Sequence, residues 1–249
     1  MSMKRVAVIN LKGGVGKTTT AVNIAACLGQ KGRRVLLIDM DPQGNATLHI
    51  GVRENGKALL NALQSTTPLP VQDTEFSGLQ LVPSGYLLSE ARERFSKAMG
   101  RDLLLRTLKN SGDNWDWVIF DCPPSIEVLT QMALNASDSL IVPVEASFLG
   151  LAGLEQLIMI LQETFRTDTV KERIMAVVPC RAHPRRRIHD TMMKELNRIF
   201  PGKVAPVVRE TVALTEAPQA GKPVIYYSGR SAGAKDYRDV TEWLLEKTG

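Results

Sequence analysis

The sequence predicts an α/β fold: one domain on a mostly parallel, twisted sheet, with helices covering both faces. Three observations predict it. Apolar runs recur within residues 6–9, 33–39, 117–121, 139–144 and 174–178, and each reads as a strand buried on both sides. Stretches with apolar residues at helical spacing alternate with these runs, as parallel strands require of their crossovers. The first run also passes through a glycine-rich turn straight into a helix start, with small and apolar residues at 20–26.

Residues 12–19, Lys-Gly-Gly-Val-Gly-Lys-Thr-Thr, form that turn. Glycines let the backbone curl until successive N–H groups converge on one anion. The helix that follows adds unpaired N-terminal donors and the positive end of its dipole. In such a phosphate-binding loop Lys17 reaches the β- and γ-phosphates, and the Thr18 hydroxyl binds Mg²⁺. A bare glycine turn also serves tight strand–helix packing; Lys17 and Thr18 after the glycines are what favour phosphate. The usual G-x-x-x-x-G-K-[ST] pattern begins with glycine, but Leu11 stands there, and a second lysine, Lys12, opens the loop. Spacing alone leaves Lys12 as either a solvated charge or a phosphate contact.

The 249 residues are 44% hydrophobic, enough for a large core, and no low-complexity linker, repeat or charge block divides them. A single domain over 1–249 is expected. No stretch is read as approaching the ~18 apolar residues of a membrane helix, and no secretory leader is expected. Cys27, Cys122 and Cys180 are odd in number, far apart and without CxxC spacing, which favours buried reduced thiols and a cytosolic setting over a disulfide framework or zinc site. A net charge of +5 and a pI near 9.2 suggest a polyanionic partner.

Residues 33–39 read as a second buried strand ending in Asp39, followed by the polar turn Met40-Asp41-Pro42-Gln43-Gly44-Asn45. Ligands of open α/β sheets sit at the carboxyl ends of strands, which puts Asp39 and Asp41 beside the loop. Asp41 before a proline is either a helix cap or an acid near the γ-phosphate, orienting a water or the metal. Residues 46–114 say least: a short helix around 59–63, a strand at 79–82, and one or two amphipathic helices in 87–110. The strand at 117–121 closes on Asp121, which beside a phosphate loop makes a Walker B acid holding Mg²⁺ through a water. In the helix 149–165, Leu154, Leu157, Ile158 and Leu161 form a core-facing stripe. Tyr237, Val240, Leu244 and Leu245 are expected to pack inward from a last helix over 234–247.

Residues 181–189, Arg-Ala-His-Pro-Arg-Arg-Arg-Ile-His, carry the densest positive charge. The run is either a solvated loop or a contact to nucleic-acid phosphates. His183 and His189 lack acidic or cysteine neighbours at ligand spacing and read as surface residues.

Taken together, Lys12-Gly-Gly-Val-Gly-Lys17-Thr-Thr, Asp39-Met-Asp41-Pro-Gln-Gly-Asn45, Asp121-Cys-Pro-Pro124 and Glu216-Ala-Pro218 with Gly221-Lys-Pro223 resemble the ParA/MinD family of deviant Walker A ATPases, a P-loop NTPase fold. The similarity spans nearly the whole chain and is strongest to the short ParA/Soj type, without the N-terminal helix-turn-helix domain of long plasmid forms. The resemblance implies ATP and Mg²⁺ as cofactors. It implies phosphate contacts from Lys12, Gly13, Gly14, Val15, Gly16, Lys17, Thr18 and Thr19, catalytic roles for Lys12, Lys17 and Asp41, and metal ligation by Thr18, Asp41 and Asp121. Lys12 matches the signature lysine that crosses to a partner's nucleotide in an ATP sandwich homodimer. Such dimers bind double-stranded DNA without sequence preference, and a ParB-like protein or cargo adaptor stimulates slow hydrolysis. Arg185, Arg186, Arg187 and Arg209 are the candidate DNA contacts, with Lys222 a weaker one. A cytoplasmic, nucleoid-associated protein follows, with no stable membrane association.

Departures from the family pattern are Leu11 before the signature lysine, Glu145-Ala146-Ser147 after the strand at 139–144, and Val207-Val208-Arg209-Glu210 in the segment near the adenine in relatives. Two other readings compete with this one. A MinD-like membrane ATPase needs a basic amphipathic C-terminal extension, which is not evident. A metal-cluster enzyme on the same scaffold needs interface cysteines, which the positions of Cys122 and Cys180 do not supply.

Overall fold

The computed structural model describes residues 3–95, 100–112, 114–182 and 187–248; the side chains of 187–190 also fall outside the description. The fold is a seven-stranded sheet in the order β3-β4-β2-β5-β1-β6-β7. Its strands are β1 Lys4–Val8, β2 Val35–Asp39, β3 Gln72–Asp73, β4 Leu79–Val82, β5 Trp117–Asp121, β6 Ser139–Glu145 and β7 Ile174–Cys180. All neighbours pair in parallel except β3, a two-residue antiparallel edge against β4. That edge was not legible, because two polar residues carry no alternation.

Side chains alternate across each strand, so the sheet feeds two cores. Val6, Val8, Val35, Leu37 and Ile119 face the helices Lys17–Gln30 and Ala232–Thr248. Ala7, Ile9, Leu36, Ile38 and Phe120 face Lys57–Ser65, Leu103–Asn110, Val128–Ala136 and Phe148–Phe165. This double coverage explains why the strands read as continuous apolar runs. The chain leaves β1 toward β2 on one side and later reaches β6 on the other, so a crevice opens beyond the carboxyl end of β1.

The last helix buries Tyr237, Val240 and Leu244 as expected, with Leu245 half-buried. Residues 87–110 break into a 3₁₀ turn at Tyr86–Glu90 and the helices Ala91–Arg94 and Leu103–Asn110. One expectation needs correcting. The helix Phe148–Phe165, with mean hydropathy 1.2, is long and apolar enough to cross a membrane by length and composition. Counting consecutive apolar residues missed it, because Glu155, Gln156 and Glu163 interrupt the run while the window as a whole stays apolar. Leu154, Leu157, Ile158 and Leu161 do pack inward, but Phe148, Leu149 and Met159 are about 70% exposed.

The helix Lys17–Gln30 meets the loop before β4 almost backbone to backbone. A Cβ on Gly29 would come within 2.1 Å of the Ser77 carbonyl oxygen. Gly29→Ala therefore forces the two apart and should cost roughly 1–3 kcal/mol, the usual range for overpacking. Denaturant unfolding measures it; an unchanged midpoint would mean that the contact yields freely.

Candidate nucleotide site

The loop is set from its first residues. Ile9 N donates to the Ile141 carbonyl at 3.0 Å, extending β1 past its last paired residue. Asn10 is buried; its amide donates to the Pro143 carbonyl at 2.7 Å and its oxygen accepts from Lys12 N at 3.0 Å. One side chain thus bends the chain out of the sheet. Gly14 and Gly16 have φ of 73° and 95°, a region side chains resist. At Gly13 and Gly14 an added Cβ would meet nothing within 4 Å, so this backbone borders open space. Val15, 2% exposed, anchors the loop from below. Gly16 caps the helix Lys17–Gln30 without any side-chain hydrogen bond, which leaves its first N–H groups to another partner.

Lys17 is 8% exposed and donates to the Lys12 carbonyl at 3.1 Å, across the loop. Burial pulls its ammonium below the ordinary lysine range, while Asp121 and Asp41 pull it back up.

The three acids have different surroundings. Asp39 is fully engaged: Oδ1 accepts from Asp41 N at 3.0 Å, and Oδ2 from the Thr47 amide at 2.9 Å and hydroxyl at 2.7 Å. Burial pushes it up to about 6 despite those bonds. Asp41 sits at the cleft wall, its Oδ1 accepting from Gln43 N at 2.9 Å. Asp121 is fully buried and neither oxygen makes a well-formed hydrogen bond. Burial, then the neighbouring Asp39, raise it well above the carboxylate range; the nearby Thr18 hydroxyl and Lys17 act against this.

Of the three acids only Asp41 lines a cleft of about 580 Å³, whose walls also include Gly13, Gly14, Gly16, Lys17, Thr18, Thr19, Gln43, Asn45, His49, Pro124 and Pro218. A buried acid with orphaned oxygens beside a threonine hydroxyl fits a divalent cation, and a positive loop with an uncapped helix start fits a polyphosphate. His49 was not foreseen; burial brings its imidazole down to about 4, so it is neutral at physiological pH. No sequence spacing singles it out.

Lys12 stands on the rim, ion-paired with Glu145 at the end of β6. Arg181, left-handed at φ 53°, pairs with Glu210 and donates to the Gly14 carbonyl at 3.3 Å. Behind it a second hollow of about 180 Å³ lies between the loop and 208–215. Asn10, Glu145 and Arg181 were missed as loop supports, since their partners are more than 130 residues away in sequence except within the loop itself.

Of the candidate DNA contacts, Arg185 and Arg186 lie outside the described residues. Arg187 begins the helix Arg187–Ile199, and its side chain is not described. Arg209 is held by the buried Asp236, with contacts of 2.5 and 2.9 Å, and its side chain stays 41% exposed. Lys222 is exposed. Cys27, Cys122 and Cys180 are free and buried, and burial raises all three thiols above their ordinary range.

A family model described as an AAA domain matches residues 3–175. The sporulation initiation inhibitor protein Soj of Bacillus subtilis is 36% identical over 248 residues, covering 96% of this chain and 97% of Soj. The chain belongs to the ParA/Soj family. ParA of Myxococcus xanthus, a chromosome partitioning protein, is 35% identical over 97% of this chain and 88% of its own length. Among solved structures, a Cyanothece McdA variant in complex with ATP superposes with a TM-score of 0.85 at 27% identity, covering 100% of this chain and 98% of McdA. As a ParA/Soj-family protein, this chain is a P-loop NTPase.

Burial raises the pKa of both Asp39 and Asp121 above the ordinary carboxylate range in the folded chain. Their contribution to stability is present at low pH and lost as pH rises through about 6 for Asp39 and through the raised range of Asp121. The nucleotide-free, metal-free protein should therefore melt at lower temperature as pH is raised from about 5 to about 8. Asp121→Asn should flatten that fall, and equal slopes for the two proteins would show that Asp121 ionises freely.

Proposed function

We propose that this chain is an ATP-switched partition or positioning ATPase whose ATP-bound homodimer holds double-stranded DNA without sequence preference and lets go after hydrolysis. Lys12 is the observation that carries the reading. Its side chain is 44% exposed and ion-paired with Glu145, whereas Lys17 crosses the loop to the Lys12 carbonyl. An exposed lysine at the edge of the loop is placed to reach a nucleotide facing it from a second copy, which supports this reading over that of a solvated charge.

The roles follow from the chemistry of the groups. Lys17 and the N–H groups of 13–18 bind the phosphates of ATP. Thr18 and Asp121 are the residues that would hold Mg²⁺, and Asp41 would orient the attacking water or the metal. Bound Mg²⁺ neutralises charge developing on the phosphate oxygens. Turnover is slow until a ParB-like protein or cargo adaptor completes the site. Loss of the γ-phosphate removes contacts that only the dimer makes, so the population shifts to monomers. Each dimer doubles the basic surface, and with steep salt dependence monomers release DNA. The protein is then cytoplasmic, and nucleoid-associated while ATP is bound.

A MinD-like membrane role is the second reading, favoured by the exposed Phe148, Leu149 and Met159 on an apolar helix. Binding to arbitrary duplex DNA and to anionic liposomes, with ATP, ADP or no nucleotide at two salt concentrations, separates the readings. ATP-dependent, salt-sensitive DNA binding supports the first, and ATP-dependent liposome binding without it supports the second.

Lys17→Ala should abolish ATP binding, and Lys12→Ala should leave monomer binding within about threefold while preventing the ATP-dependent dimer in light scattering. Normal dimerisation of the Lys12 variant sinks the cross-interface role. Replacing Arg185, Arg186 and Arg187 together by alanine should weaken DNA binding and flatten its log–log salt slope by about 0.9 per lost contact, with ATP binding unchanged. An unaltered slope would return those arginines to a solvated loop.

A further inference from the structure

We infer that Asp39, Thr47 and Ser84 act as a clamp that positions Asp41 for hydrolysis. The inference rests on Asp41 taking part in that reaction.

The clamp is a closed ring of hydrogen bonds with every direction fixed. Thr47 gives its one hydroxyl proton to Asp39 Oδ2 at 2.7 Å, so its oxygen is left to accept, and it accepts from Ser84 N at 2.9 Å. The Ser84 hydroxyl in turn donates to the Asp41 carbonyl at 2.8 Å. Asp39 Oδ1 closes the ring by accepting from Asp41 N at 3.0 Å. Asp41 is thereby gripped through both its N–H and its C=O, from two different strands: Asp39 ends β2, and Ser84 follows β4.

Asp39, Thr47 and Ser84 are each no more than 1% exposed, and none of them lines the cleft. They touch no reacting group. Asp41 does line it, with Oδ1 committed to Gln43 N. The ring therefore acts on the cleft through the place it gives Asp41, while Asp39 also stands opposite Asp121 on the neighbouring strand. A buried ring of charge-assisted bonds is stiff, and small displacements of a catalytic group are costly, of the order of 100-fold per ångström.

Thr47→Val keeps the shape and removes both the proton given to Asp39 and the acceptor offered to Ser84 N. Thr47→Ser restores them. Titration of ATP by calorimetry, single-turnover hydrolysis and thermal melting are measured for wild type, T47V, T47S, S84A and D41A. Expected are a fall in hydrolysis rate of about tenfold or more in T47V, a smaller fall in S84A, and recovery to within about twofold in T47S, with ATP affinity held within about twofold throughout. A rate loss at constant affinity belongs to the positioning of Asp41. Wild-type turnover by T47V overturns the clamp, as does a rate loss matched by an equal loss of ATP affinity, which is what general loosening of the fold produces. If D41A itself hydrolyses ATP at the wild-type rate, the assignment of Asp41 is what fails, and the clamp falls with it.

Discussion

β5 is paired on one side to β1, with Val8 opposite Asp121, and on the other to β2, with Asp39 opposite Asp121. The site rests on that shared register. It brings the phosphate loop, the Asp41 turn and the buried acid to one level at the carboxyl rim of the sheet. A slip of one residue in β5 would turn Asp121 to the opposite face and place an apolar side chain beside Thr18. The apolar alternation on both faces of β5 is what forbids it, since Val118, Ile119 and Phe120 each fill a core.

The same register concentrates charge. Asp39 and Asp121 are side by side in a dry place, with Asp41 near and Lys17 as the nearby cation. Asp39 is reconciled to burial by three hydrogen bonds, whereas Asp121 has none of good geometry. Such an acid is protonated or it faces a cation. On the proposed role of Asp121, a divalent ion binding there would displace a proton, so its affinity would rise with pH.

Much of this was legible in the chain. Strands buried on both faces announce themselves as unbroken apolar runs, and the loop's glycines and lysines are contiguous, so both the sheet and the phosphate cradle could be read directly. What escaped was whatever depends on partners brought together by the sheet. Asn10 gains its meaning from the Pro143 carbonyl, Lys12 from Glu145, and Arg209 from Asp236, and no local spacing encodes those pairs. Asp39 was read beside Asp41 as one of two strand-end acids. Only Thr47 and, through it, Ser84 from the next parallel strand distinguish the structural acid from its neighbour. The helix Phe148–Phe165 and its core-facing stripe were legible, but its apolar outer face was not, because that face obeys no pattern that core packing imposes.

The bond from Lys17 to the Lys12 carbonyl has a consequence of its own. Glycines that curl a loop around an anion also make it limp without one, and an ammonium in the middle of such a ring would otherwise have to be solvated inside a narrow mouth. By bridging to the opposite side of its own loop, Lys17 serves as a strut. The strut is weak, about 1 kcal/mol for an exchangeable hydrogen bond, so an arriving phosphate displaces it easily. The loop is thus braced in its curve by Lys17, the same lysine that the proposed function assigns to the incoming phosphate.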